Sequence, residues 1–283
     1  MSTAAAAAAD PSARLTGEVT TYTVARGDTW TSIGARFGVY PSTLAADNHV
    51  DVSRPLTIGQ RLRVDNRHIV PAGVETGAIT INAPQRMLFY LDDAGLAAYP
   101  VAVGRSSWQT PPASFTVVRK DENPTWHVPA SILAESARAG RWQPPVVPPG
   151  PKNPLGRFWI GLSLPGFGIH GTPFESSIYQ TVTHGCIRLQ HAGIDDMFAR
   201  VHLGTPGRII YEPILIAESG DDVYVEVHVD VYRRLAGTPG HVARELAAAS
   251  GLTDRIDWDV AERAIEVHSG VARRVTLTQP ATD

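Results

Sequence analysis

Apolar and polar positions alternate with period two along much of this chain and switch to a helical period in only a few places. Tyr22–Thr23–Val24 is a short β-favouring run, and Arg26–Gly27–Asp28–Thr29 turns the chain after it. Thr29 suits the N-cap of a helix that turns Trp30, Ile33, Ala35 and Phe37 inward, and Gly38 suits its end. Residues 41–48 predict a second short helix with Leu44 and Ala45 inward. Residues 56–64 predict a turn into a closing strand. The order is β-α-α-β, with residues 1–21 expected as a disordered tail and 65–75 as a linker.

The middle of the chain, residues 76–211, is richer in strand patterns. Residues 78–81 and 86–91 read as strands, and Asp92–Asp93–Ala94–Gly95 as the turn into a third over 96–103. A fourth strand is predicted over 115–118. Helical spacing is confined to 131–139 and 194–201. Between these lies the segment from Gln143 to Pro154, whose six prolines predict either a functional groove wall or a rigid spacer. Residues 212–283 predict a half-exposed strand at 223–229, helices at 242–249 and 260–267, and a last strand at 271–278. The expected fold class is therefore mainly β with small α+β parts, ending in a small C-terminal α/β subdomain.

Composition narrows the function classes. The chain has 283 residues, 43% of them hydrophobic and 19% charged, as expected of a folded protein rather than a disordered one. A net charge of −3 gives no electrostatic footprint for nucleic acid. No apolar run reaches the ~20 residues that a membrane-spanning helix needs. The run Ala4–Ala9 lacks the basic and apolar regions of a secretory signal. It reads as part of a disordered tail, or as small residues left near a cleavage site. Cys186 is the single cysteine, so neither an intramolecular disulfide nor a cysteine-rich metal cluster is available.

The chemistry concentrates in residues 169–189, Ile-His-Gly-Thr-Pro-Phe-Glu-Ser-Ser-Ile-Tyr-Gln-Thr-Val-Thr-His-Gly-Cys-Ile-Arg-Leu. Cys186 follows His184–Gly185, a second His-Gly pair lies upstream at His170–Gly171, and Arg188 falls on the Cys186 face of an extended segment. An imidazole beside a thiol supplies the base that a cysteine nucleophile needs. Backbone N–H groups near Gly185 and Cys186 suit a developing oxyanion, and Arg188 suits a substrate carboxylate. Other arrangements use the same residue types. A zinc site from His170, His184, Cys186 and His191 lacks an acidic partner at a recognised spacing. A papain-like order would place a catalytic His downstream, at His191, His202 or His228, but the usual cysteine contexts are missing. A sortase-like pairing of His127, Cys186 and Arg188 lacks the Thr-Leu-x-Thr-Cys context.

Two resemblances organise these observations. Tyr22–Val24, Gly27–Asp28–Thr29, Leu44…Asn48 and Ile58–Gly59–Gln60–Arg61–Leu62 resemble a LysM module. That implies a β-α-α-β unit over 22–64 that binds N-acetylglucosamine-containing glycans, with Gly27, Asp28 and Thr29 as candidate contacts. His170–Gly171–Thr172 followed by Thr183–His184–Gly185–Cys186–Ile187–Arg188–Leu189 resembles the signature of the YkuD-type L,D-transpeptidases, in their ErfK/YbiS-like branch. The Pro124–Trp126 and Pro145–Gly156 stretches and Tyr224–His228 with Ser269–Gly270 extend that likeness along the chain. The resemblance implies a β-rich catalytic domain in the periplasm or cell envelope, acting on peptidoglycan stem peptides and open to acylation by carbapenems. Cys186 would attack the carbonyl before the fourth-position D-alanine, with His170 as base and Gly171 orienting it. His184 and Gly185 would shape the oxyanion pocket, with Arg188, Thr183, Tyr179 and Trp159 along the substrate groove. No metal or organic cofactor is needed. The acyl acceptor stays open between an amine of an envelope protein or outer-membrane lipoprotein, a second stem giving a 3→3 cross-link, and water. A different class of function, a non-catalytic peptidoglycan-binding protein, would fit better had one of these residues been missing.

Overall fold

The computed structural model describes residues 15–278. The predicted tail is shorter than expected where it can be described. Residues 15–16 form β1 (Leu15–Thr16), and residues 19–23 form β2 (Val19–Thr23). They are followed by α1 (Trp30–Phe37), α2 (Pro41–Ala46) and β3 (Arg61–Asp65), which pairs antiparallel with β2. Thr29 and Ser32 exchange side-chain and backbone hydrogen bonds at the start of α1, and Gly38 ends it at φ 70°, in the left-handed region that glycine tolerates. Ile33, Leu44, Leu62 and Val64 fill the small core between helices and strands.

The expected linker is a packed part of the fold. β4 (His68–Ile69) pairs with β1, and Asp65, His68, Ile69 and Val70 are all buried. The reason is physical: an apolar Ile69–Val70 pair and a backbone with partners for its polar groups gain more from burial than from solvent.

Next come β5 (Ile79–Asn82), β6 (Met87–Asp92), β7 (Gly95–Gly104), β8 (Ala113–Glu122), β9 (Trp126–His127), α3 (Ala130–Arg138) and β10 (Val146–Val147). They continue as β11 (Phe158–Leu162), β12 (Gly168–His170), β13 (Thr181–Thr183), β14 (Ile187–Leu189), α4 (His191–Arg200) and β15 (Pro206–Ile210). The main sheet runs β13-β7-β14-β12-β11-β8-β15-β5-β6, and a further β6–β7 pairing brings its last strand back onto its second. The long β7 makes this possible, its first half lying on β6 and its second on β14. Ile79, Ile81, Leu88, Val101, Phe115, Ile160, Ile169, Ile187 and Leu189 point into the enclosed core, which Ile194 and Met197 of α4 complete. The proline-rich segment contributes β10, paired with β9.

The C-terminal unit consists of β16 (Ile214–Ser219), β17 (Asp222–Val227), α5 (Pro239–Ala249), α6 (Trp258–Val267) and β18 (Arg273–Arg274). The strand expected to be half-exposed is buried on both faces. Val223, Val225 and Val227 pack in the cluster that also holds Ala243 of α5 and Ile265 of α6. Tyr224 and Glu226, one residue out of phase, face β4 and its neighbours. The predicted last strand contracts to Arg273–Arg274. The segment before it seals the N-terminal unit to the rest: Thr43 Oγ1 donates to the Ser269 carbonyl at 2.7 Å, and Arg273 pairs with Asp47 at 2.9 Å.

Candidate active site

Strand pairing assembles the site. β12 and β14 lie parallel with Ile169 opposite Ile187 and His170 opposite Arg188, and His170 is opposite Trp159 on β11. Since Ile169, Ile187 and Leu189 face the core, the period-two alternation sends Trp159, His170 and Arg188 to the other face. Cys186 sits immediately before β14, in phase with Arg188. Trp159 stacks on the His170 imidazole with ring centres 5.8 Å apart. A Cβ on Gly168 would come within 2.3 Å of the Trp159 indole, so a glycine is required for that ring to lie flat across the strands.

His170 is buried, and its Nδ1 lies 2.6 Å from the Gly171 carbonyl. A carbonyl only accepts, so Nδ1 carries the proton and Nε2 is left as the basic nitrogen. Burial, and secondarily the charge of Arg188, push the imidazole down to about 3, so it is neutral at pH 7. Burial pushes the Cys186 thiol up, opposed by a backbone hydrogen bond from Gly168 and by Arg188. The thiol donates to the Gly166 carbonyl at 3.5 Å. Both shifts favour the uncharged forms, a thiol and a neutral imidazole.

The turn that carries the thiol is tied down from both sides. Thr183 Oγ1 donates to the Cys186 carbonyl at 2.6 Å and accepts the Gly185 N–H at 3.2 Å, and Thr110 Oγ1 donates to the Gly185 carbonyl at 2.7 Å. Gly185 has φ 104°, and a Cβ there would meet the Phe167 ring at 2.8 Å, so both conformation and space demand glycine. The Gly185 N–H is thereby engaged by Thr183. Arg188 Nη1 donates to Ser177 Oγ at 3.0 Å, while its buried Nε has no acceptor among the described residues.

His184, Tyr179 and the three residues of the N-terminal turn are engaged within the fold. His184 turns to α3, where its Nε2 is 2.8 Å from Glu135 Oε2, and Arg105 Nη2 bonds the same carboxylate at 2.6 Å. Hydrogen bonds from Arg105 and then His184 hold the Glu135 carboxyl down at about 2. Tyr179 does not line the groove. It is buried with φ 60°, donates to the Gly270 carbonyl at 2.8 Å, and packs on Tyr40 and His68. In the N-terminal unit, Asp28 Oδ2 accepts from Tyr22 Oη at 2.6 Å and from the Ala25 N–H at 2.8 Å, Thr29 caps α1, and Gly27 makes the turn at φ 90°. Gly27 and Thr29 stay exposed and Asp28 half-buried at the module's surface. Sequence reasoning missed Glu135, Arg105, Thr110 and Ser177; none lies in a motif, and Glu135 is 49 residues from its partner.

The fold agrees with the comparisons. Residues 76–210 match the L,D-transpeptidase catalytic domain model, YkuD, and residues 22–65 match the LysM domain. "Probable L,D-transpeptidase ErfK/SrfK" of Salmonella typhimurium is 30% identical over 278 residues, covering 94% of this chain and 89% of the relative. The Escherichia coli protein of the same name is 32% identical over 79% of this chain and 73% of its own. "Probable L,D-transpeptidase YcfS" of Escherichia coli is 31% identical over 91% of this chain and 84% of its own. The chain belongs to the L,D-transpeptidase family and carries a LysM domain ahead of the catalytic one.

Proposed function

We propose that this protein is a cysteine L,D-transpeptidase of the bacterial periplasm that uses Cys186 as nucleophile. The observation that carries the reading is the His170 tautomer. The Gly171 carbonyl accepts a hydrogen bond from Nδ1–H and leaves Nε2 as the basic nitrogen on the face that Cys186 and Arg188 share. In the first half-reaction His170 accepts the thiol proton as the sulfur attacks the carbonyl before D-alanine. A C–S bond forms and the C–N bond breaks. The proton passes from His170 to the departing amine, and D-alanine leaves a thioester. In the second half, His170 accepts a proton from the incoming amine, the new amide forms, and the sulfur leaves as thiolate to be reprotonated. The Cys186 N–H faces the developing oxyanion, Trp159 walls the groove, and Arg188 either anchors a stem carboxylate or braces the Ser177 loop. The acceptor is an amine of an envelope protein, lipoprotein or second stem; water would give a hydrolase.

Mass spectrometry after incubation with a carbapenem tests the nucleophile. A single adduct on Cys186 is expected in the wild type, none in Cys186→Ala, and acylation at least 100-fold slower in His170→Ala. A wild type that stays unmodified with its thiol confirmed reduced would overturn the reading and favour a binding protein.

A further inference from the structure

Tyr232 lies outside every motif, in the segment that leaves β17 and enters α5, yet its side chain is buried in the core of the catalytic sheet. Asp230 turns that segment. Its carboxylate accepts from the Arg234 N–H at 3.0 Å, the Leu235 N–H at 2.8 Å and the Tyr211 hydroxyl at 2.5 Å. Tyr211 in turn accepts the Tyr232 N–H at 2.8 Å and stacks on its ring, with centres 5.4 Å apart. The Tyr232 hydroxyl is thereby carried to the end of β7. There it donates to the Gly104 carbonyl at 2.5 Å and accepts the Thr110 N–H at 3.2 Å.

Thr110 is fully buried and closes the other side of this ring of bonds. Its Oγ1 accepts the Gly104 N–H at 2.9 Å. An N–H only donates, so the hydroxyl proton is free for one acceptor, and the Gly185 carbonyl takes it at 2.7 Å. The loop from Gly104 to Thr110 leaves no slack, since a Cβ on Gly104 would come within 2.0 Å of the Trp108 carbonyl oxygen. The Gly185 carbonyl and the Cys186 N–H belong to one planar trans amide and point in opposite directions. Fixing the first therefore fixes the second. Thr183 holds the amides on either side, through the Gly185 N–H and the Cys186 carbonyl, and Thr110 holds the one between.

We propose that Thr110 is a positioning residue that aims the Cys186 N–H at the oxyanion of the tetrahedral intermediate, and that Tyr232 of the C-terminal segment holds Thr110 in place. A donor aimed before the reaction stabilises the developing charge without reorganising. The assignment rests on the transpeptidase reading, with Cys186 as nucleophile and its own N–H as oxyanion donor.

The test compares two reactions of the same sulfur in the full-length protein. Acylation by a carbapenem puts negative charge on a carbonyl oxygen. Alkylation by iodoacetamide displaces iodide at a saturated carbon and develops no oxyanion. Losing an oxyanion donor costs about 10²–10³ in rate, so misaiming one should cost about 10- to 100-fold. Thr110→Val is expected to slow acylation by that factor and to leave alkylation within about threefold of the wild type; Thr110→Ser, which keeps the hydroxyl, should restore acylation to within about threefold. Tyr232→Phe removes one hydroxyl a step further away and should slow acylation about 3- to 10-fold with the same selectivity; it carries the test if Thr110→Val does not fold. Wild-type acylation in folded Thr110→Val or in Tyr232→Phe would overturn the proposal. So would acylation and alkylation falling by the same factor, which would mean that these bonds only hold the turn together. Either result beside a wild type acylated at Cys186 keeps the transpeptidase reading and removes this proposal alone; a wild type that is not acylated removes both.

Discussion

Alkylation of the lone cysteine reports directly on the resting state of the proposed nucleophile. Burial lifts the Cys186 thiol above its ordinary value of 9.0, and His170, held down at about 3, supplies no imidazolium to stabilise a thiolate. Raised above its ordinary value, the thiol is overwhelmingly protonated at pH 7. The second-order rate with iodoacetamide should therefore climb steeply, about tenfold per pH unit, from pH 7 to pH 8 and still be rising at pH 9. Cys186 is the sole cysteine, so every carbamidomethyl group counted by mass belongs to it. His170→Ala should leave this profile essentially unchanged while slowing carbapenem acylation by a factor of about 10²–10⁴, because the base acts only once a carbonyl is in place. A rate already at plateau between pH 5 and pH 7 in the wild type, falling in His170→Ala, would refute the reasoning. It would mean a preformed thiolate–imidazolium pair.

Two further substitutions probe the surroundings. Glu226, held at about 2 although fully buried, should lose about 3–5 kcal/mol of stability as Glu226→Gln, seen as a melting temperature lower by roughly 6–20 °C. Its folded value lies below its unfolded one, so its contribution is complete above about pH 4.5 and is lost as pH falls toward 2; His228, held at about 4, makes stability fall from about pH 6.5 downward. A wild-type melting temperature that stays flat from pH 7 to pH 4 would contradict the His228 account, and one that stays flat from pH 4.5 to pH 2 would contradict the Glu226 account. Glu135→Gln should slow carbapenem acylation about tenfold by releasing His184 and Arg105, while moving the melting temperature little, because the cluster is partly exposed; unchanged acylation would show that the link between α3 and the catalytic turn is only structural.

What the sequence discloses is local chemistry. The α1 caps at Thr29 and Gly38 follow from residue type, and so does the strand–turn–strand at residues 87–104. The His170–Gly171 and Thr183–Cys186 motifs become one face because their strands pair in parallel, a relation that spacing only hints at. The long-range partners are invisible at that level. Residues 65–75 look like a linker until Glu226 satisfies the Ile69 N–H and His68 from more than 150 positions away. β17 alternates like a surface strand, but its polar face is covered by that same segment. Tyr179 sits next to the motif in sequence, yet its left-handed backbone and its bond to Gly270 direct it into the seam. His184 turns away from the role its position invites because Glu135 supplies a carboxylate that no pattern announces.

The central claim is acyl transfer from a stem peptide through Cys186. It is tested most directly by incubating disaccharide-tetrapeptide muropeptides with the wild type and with Cys186→Ala and resolving the products by mass. The expected result is release of D-alanine by the wild type alone, with the acyl group recovered as a 3→3 dimer, on an added amine, or as the tripeptide, according to the acceptor. Equal D-alanine release by both proteins, or none by a wild type whose thiol is reduced and reactive toward carbapenem, would contradict it.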